Sequence, residues 1–283
     1  MNYLQMAFNN ILQTFCEYFT MIRKLQDFGN YLKPNYVLQN VYRQPPLTYE
    51  SYYAVLTWHL TRVKRRIIKI ETNFMKQDTC NSFLTLLKDI KKHLETIKIL
   101  YEIHQAVTSD WKVYPNYKCA SRLLSCLYFE MENSNNKEKA NISTSLYLSS
   151  LRVYLNITDT WLNEGRLEDW RDEFIISRVP INITDVDDFD QREQFTIRGL
   201  NAICLKDPIM RLLIDKVSHM GKNIGLLVSL DRLSDIWKMT ADGDGCSWNH
   251  NTADCTMRPM TVGLLMMSMI TIQYPQMLIL RMG

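Results

Sequence analysis

Glycine and proline are scarce, at 9 and 8 of 283 residues. Glycine stands at roughly half its average usage. Few turn formers and few breakers exclude a fold of many short strands and favour long helices. The seven cysteines, spread from Cys16 to Cys255, show no paired spacing. An odd, scattered set predicts reduced thiols in the cytosol rather than a disulfide framework. The N-terminus has no basic leader and no small-residue cleavage site, so it does not read as a secretory signal. The sequons at Asn141, Asn156 and Asn182 are accordingly read as chance. A formal net charge of +3 gives no case for nucleic acid or an anionic membrane surface.

The usual catalytic devices are missing too. Gly221-Lys222 lacks the upstream glycines of a phosphate-binding loop. No serine or cysteine has a companion histidine and aspartate in a recognisable motif. The five histidines are dispersed, and His104, set in an apolar stripe, is expected to be a hydrogen-bonded core residue rather than a base. Cys246-x3-His250-x4-Cys255 is too loose for zinc and lacks a fourth ligand. Asp242-Gly243-Asp244-Gly245 lacks the third acid and the terminal glutamate of a calcium loop. No enzyme, cofactor or metal site is expected.

Helical periodicity is what the chain has in abundance. Tyr49, Tyr53, Leu56, Leu60, Val63, Ile67, Ile70 and Phe74 recur in steps of four and three. They predict one helix of about 28 residues, about 40 Å long. Pro45-Pro46 blocks an earlier start, and Gln77-Asp78-Thr79 offers a break with a cap. Phe83, Leu87, Ile90, Leu94, Ile97, Tyr101 and His104 repeat the pattern, so the two stripes predict an antiparallel helical hairpin. Leu4, Phe8, Ile11, Phe15, Tyr18, Ile22 and Leu25 predict an earlier helix, stopped by Gly29 and Pro34. The fold class expected is all-α, an elongated stack of helical bundles built from long antiparallel helices.

Further along, a helix is predicted from about Lys118 to Met131, where Cys119 and Cys126 both face the core as buried thiols. A polar loop, Glu132 to Lys139, follows. Another helix is predicted from near Ile142 to about Asn163, with Gly165 as its C-terminal cap. Asp169, Asp172 and Glu173 read as acids at a helix start. Phe174 to Val179 fits a strand-like connector or the start of another helix. Residues 181–206 read as loop, and Pro208 suits a first turn. Gly221 and Gly225 inside the last helix allow a bend.

Two surfaces stand out as binding candidates. Arg62, Arg65, Arg66 and Lys69 share a face of the long second helix; it fits a solvated surface, an acidic partner or a phosphate backbone. Trp161, on an exposed-looking position, and Trp170 fit core packing or interface anchoring. After about Met239 periodicity vanishes, and eight of the fifteen methionines fall in the last 45 residues. Pro259 to Leu280 carries no charge, but Gln273, Pro275 and Gln276 interrupt it. Non-homologous sequence, a truncated core helix and a membrane segment all fit this tail.

The stretch Tyr154 to Arg178, YLNITDTWLNEGRLEDWRDEFIISR, resembles the gamma-tubulin complex components. In that family a helix ends Trp-apolar-x-x-Gly and leads through an acidic turn into Glu-Phe-Phe/Ile-Ile. Lys69 to Asp78, Phe83 to Leu87, Ser121 to Tyr128 and Met220 to Leu227 are similar to further family segments. The resemblance implies a non-catalytic scaffold of helical bundles. An N-terminal Grip domain would associate side by side with other gamma-tubulin complex components, and a C-terminal half would bind gamma-tubulin and support microtubule nucleation. Residues 1–238 are expected to be the N-terminal domain, incomplete, with 239–283 outside the family fold and most direct gamma-tubulin contacts lacking. The family-motif residues expected to be structural or interfacial are Trp161, Gly165, Asp172, Glu173, Phe174, Ile175, Gly221 and Lys222. The implied location is cytoplasmic and cytoskeletal, at centrosomes, spindle poles and other microtubule-organising centres. No nucleic acid is implied; the alternative is a membrane-tethered helical adaptor using residues 259–280.

Overall fold

The computed structural model describes residues 3–33, 44–76, 83–109, 113–179 and 195–232. The described residues are mostly helical, as the scarcity of breakers predicts, with one short two-stranded ladder. They fall into two compact units, Met1–Leu151 and Arg152–Gly283.

In the first unit α1 spans Tyr3–Tyr31, α2 Leu47–Lys76, α3 Phe83–Thr108 and α4 Asn116–Glu132. α5 (Lys137–Glu164) begins here and runs past the division. Tyr52 of α2 faces His104 of α3, and Arg66 lies near His93. The two helices therefore run antiparallel, which is the hairpin that the twin stripes predict. The break at residues 77–79 lies outside the described residues.

Phe28 of α1 sits at the centre, with ring centroids 5.9 Å from Tyr49, 6.4 Å from Tyr52 and 4.8 Å from His104. Aromatic rings bury much area with few rotatable bonds, so such a cluster fixes helix register at low entropic cost. His104 accepts or donates to the Tyr52 hydroxyl at 3.2 Å and is a core histidine, as expected. The buried stripe of α2 runs through Tyr52, which is wholly buried, rather than the half-buried Tyr53. Tyr53 is displaced because its ring lies on Gly29, where an added Cβ would come within 2.3 Å. The same contact explains why α1 does not stop at Gly29: glycine is there for close approach, not for a turn. Pro34 lies outside the described residues.

α4 is buried over most of its circumference from Cys119 to Tyr128, so it is the central helix of this unit. Its serines avoid an unpaired hydroxyl by bonding back to the chain: Ser121 Oγ donates to the Tyr117 carbonyl at 2.7 Å. Cys119 and Cys126 are buried free thiols. α5 begins at Lys137, five residues ahead of Ile142. Asn136 Oδ1 accepts from the Glu138 and Lys139 amides at 2.9 and 3.4 Å, an N-cap inside what reads as loop.

In the second unit the C-terminal part of α5 leads to β1 (Ile176–Arg178), which pairs antiparallel with β2 (Phe195–Ile197). The connector reading of Phe174 to Val179 is thus the one that holds. Residues 195–206 are not all loop either, since β2 and a 3-10 turn at Cys204–Lys206 lie within them. α6 (Pro208–Leu212) starts at the expected proline, with Asp207 Oδ1 accepting from the Ile209 amide at 2.9 Å. A π-helical turn, Leu213–Val217, joins it to α7 (Ser218–Ser229).

Candidate functional site

The family-motif residues converge in the second unit. Gly165 ends α5 with φ +72°, and its amide donates to the Trp161 carbonyl at 2.9 Å. That left-handed residue reverses the chain and exposes no Cβ to the α7 side chain beside it. A Cβ on Gly165 would lie 2.6 Å from Val228 Cγ2. Trp161, one turn earlier, is wholly buried, which corrects its exposed-looking position in the sequence. Its ring packs at 6.4 Å on Phe174 and 5.0 Å on Phe195, and Gly221 of α7 closes over it within 2.3 Å of an added Cβ. The indole N–H has no partner among the described residues, so packing fixes the ring.

The acidic turn does not start a helix. Asp169 instead accepts from the Glu173 and Phe174 amides, both at 2.9 Å. A side chain that satisfies two successive amides holds the chain in a tight turn and competes with helix formation. Burial raises the Asp169 carboxyl above its ordinary value, opposed by those two amides. Asp172 adopts φ 56° and pairs with Arg198. Glu173 is buried, and its carbonyl accepts from the Tyr154 hydroxyl at 2.7 Å. Phe174 and Ile175 are wholly buried. The Tyr154 hydroxyl is held well above its usual pKa, first by burial and then by Glu173.

Six of the eight motif residues therefore form one packed junction: Trp161, Gly165, Glu173, Phe174, Ile175 and Gly221. Asp172 and Lys222 are exposed beside it. Trp170 is 83% exposed, so of the two tryptophans of the motif only Trp161 is a core residue. Sequence reasoning missed Tyr154, Phe195, Arg198 and Val228. Tyr154 alone carried a signal, falling seven residues before Trp161 on the same helical face.

The basic face lies in the first unit, on α2. Arg62, Arg65, Arg66 and Lys69 are all exposed, and none pairs with a carboxylate among the described residues. With Trp58 and Thr61 they line a groove of about 620 Å³. The Arg62 guanidinium lies 5.4 Å from the Trp58 ring centroid. Trp58, 55% exposed, was not foreseen, although four- and seven-residue spacing to Arg62 and Arg65 puts it on their face.

His59, beside Trp58, meets Ser145 Oγ at 2.8 Å. Burial, then Arg62, lowers its pKa to about 4. Among the described residues no group of three His, Cys, Asp or Glu could hold a metal ion. The Cys246–Cys255 and Asp242–Gly245 segments lie outside those residues. No described helix is long and apolar enough to cross a membrane, and residues 259–280 also lie outside.

The sequence matches the family described as "Gamma tubulin complex component N-terminal" over residues 1–258. It is similar to gamma-tubulin complex component 5 of Mus musculus, with 28% identity over 152 residues. That stretch covers 50% of this chain and 15% of the mouse protein. It is 26% identical over 152 residues to gamma-tubulin complex component 5 of Macaca fascicularis, covering 50% of this chain and 21% of that protein. The aligned stretch thus spans well under a quarter of the length of these relatives.

Proposed function

We propose that this chain, which belongs to the gamma tubulin complex component N-terminal family, acts as a structural subunit of a gamma-tubulin complex and is not an enzyme. Its role is lateral association with other components, which together support microtubule nucleation at microtubule-organising centres. Direct gamma-tubulin contacts are assigned to a C-terminal half outside the family match. Residues 1–238 are assigned to the N-terminal Grip-type domain; the family match runs on to residue 258, so only residues 259–283 are assigned to a segment apart from it.

The observation that carries this reading is the family match over residues 1–258. The junction of Trp161, Gly165, Phe174 and Gly221 supports it, since these residues are spent on packing and present no reactive group. In this reading the junction is the rigid support, Asp172 and Lys222 lie at its rim, and Arg62, Arg65, Arg66 and Lys69 form an association surface. Rigid helical supports suit such a role because they present docking side chains with little ordering cost.

Affinity capture of the tagged full chain from cells tests it, with captured proteins identified by mass spectrometry. Gamma-tubulin complex components are expected among them, and the tagged chain is expected at centrosomes and spindle poles. A folded chain that captures none of these components and stays diffuse overturns the reading.

A further inference from the structure

α7 buries one side and leaves the other bare. Gly221 and Val228, on one edge, close over Trp161 and Gly165. At 100° per residue, Leu226, Leu227 and Leu230 lie about 140°, 120° and 180° round the helix from Gly221, on the opposite side. Leu227 is half-buried, and Leu226 and Leu230 are 38% and 58% exposed. A lone exposed leucine is ordinary. Three around the last turn of one helix form an apolar patch, and such a patch marks a surface that something covers.

The chain turns immediately beyond this patch. Asp231 has φ 54°, in the left-handed region. Its amide donates to the Val228 carbonyl at 3.0 Å, and the Arg232 amide donates to the Leu227 carbonyl at 2.9 Å. That pair of bonds is a Schellman cap, which stops the helix and turns the chain off its axis. After Arg232 the sequence reads Leu233-Ser-Asp-Ile-Trp237. Leu233, Ile236 and Trp237 are spaced i, i+3, i+4, the pattern of one apolar helical face. They lie within the family match, which runs to residue 258.

We propose that the patch of Leu226, Leu227 and Leu230 is the seat of residues 233–237 of the same chain, with Leu233, Ile236 and Trp237 packed against it. Helices joined by about two to five residues form an antiparallel hairpin, and Asp231-Arg232 supplies such a joint. Patch and segment match in kind, three apolar side chains each. The tether decides between this occupant and a second copy or another protein. A segment held a few residues from its seat acts at an effective concentration of about 1 mM. For equal contacts, a rival at about 1 μM is outcompeted roughly a thousandfold. With the seat filled from within, α7 keeps no leucine patch for a partner. The inference concerns a different surface from the basic face of α2 and does not depend on which complex the chain joins.

The test reads Trp237 in the full chain. Subtracting the fluorescence of Trp237→Phe from that of the wild-type chain isolates one of the six indoles. That emission should be blue-shifted, as for an indole out of water, and resist acrylamide quenching. Leu226→Ser with Leu230→Ser should move it to the red and raise the quenching several-fold. Both leucines are exposed, and circular dichroism checks that the variant stays folded. Urea unfolding gives a second reading. Trp237→Ser, and Leu226→Ser with Leu230→Ser, should each lower the midpoint, and the triple variant should lose less than the sum. The difference spectrum should also survive about a hundredfold dilution, since a contact within one chain does not depend on concentration.

A difference spectrum of a water-exposed indole overturns the proposal. So does a buried one that ignores the leucine changes, or midpoint losses that add in full, because Trp237 then packs elsewhere. Burial that is lost on dilution overturns it in favour of a second copy.

Discussion

Gly221 lies flat against the indole of Trp161, so close that a Cβ on it would sit 2.3 Å from the ring carbon Cζ2. This contact makes a sharp prediction, because helix propensity and packing oppose one another. Alanine inside a helix is favoured over glycine by about 1 kcal/mol. Overpacking a rigid core costs about 1–3 kcal/mol or more. Gly221→Ala should therefore destabilise the chain in urea unfolding. Gly225→Ala in the same helix is the control. Its nearest neighbour would be Phe195 Cε2 at 3.7 Å, ordinary contact, so this change should be neutral or stabilising by up to about 1 kcal/mol.

Gly165 joins two constraints, a φ of +72° and the Val228 methyl 2.6 Å from an added Cβ. Gly165→Ala should cost about 1–2 kcal/mol for the left-handed backbone alone, plus the clash. Val228→Ala in the double variant should recover the clash and not the backbone cost. Gly199, with nothing within 4 Å of an added Cβ, should accept alanine with little change. Thermal denaturation of the three variants separates the contributions.

These contacts also mark what the sequence could and could not reveal. The α2–α3 hairpin was legible because apolar residues repeat at the helical period over about 28 residues. The start of α6 was legible because Pro208 fits only a first turn. The junction was legible as a motif but not as a geometry. An isolated tryptophan near a helix end does not reveal whether it faces solvent. Trp161 is buried because residues far along the chain, Phe195 and Gly221, close over it. Likewise Asp169, Asp172 and Glu173 have the composition of a helix start. The Asp169 carboxylate captures two amides and turns the chain instead. Gly29 looked like a stop and is a seat for Tyr53. For Trp161 and Gly29 a long-range contact overrode a local preference; for Asp169 a side-chain bond to amides four and five residues on did so.

The Tyr154 hydroxyl donates to the buried Glu173 carbonyl at 2.7 Å. Tyr154→Phe keeps the ring tilted against Phe174, whose centroid is 5.2 Å away, and removes only the bond. Loss of one buried hydrogen bond costs about 0.5–1.5 kcal/mol. Urea unfolding should report a loss in that range. No loss would mean that the turn carries its own weight through Asp169.

Acid should loosen the first unit. Burial lowers the His104 pKa from 6.5 to about 4. The folded state then binds fewer protons than the unfolded chain between these values, so stability rises with pH across that window and falls on acidification. The linkage for His104 is about 2 kcal/mol between pH 7 and pH 5. His59, also lowered to about 4, acts in the same direction with less weight because it is half-buried. Urea midpoints at pH 7 and pH 5 should separate clearly, and His104→Gln should flatten the difference.

The central claim is that this chain is an associating scaffold of the gamma-tubulin complex. Mass photometry of the purified chain, mixed with purified gamma-tubulin complex components at sub-micromolar concentration, tests it most directly. The account predicts a new species heavier than each component by the mass of one chain. It also predicts that this species diminishes when Arg62, Arg65, Arg66 and Lys69 are replaced with glutamate. A chain that is folded by circular dichroism yet adds no mass to any component would contradict it.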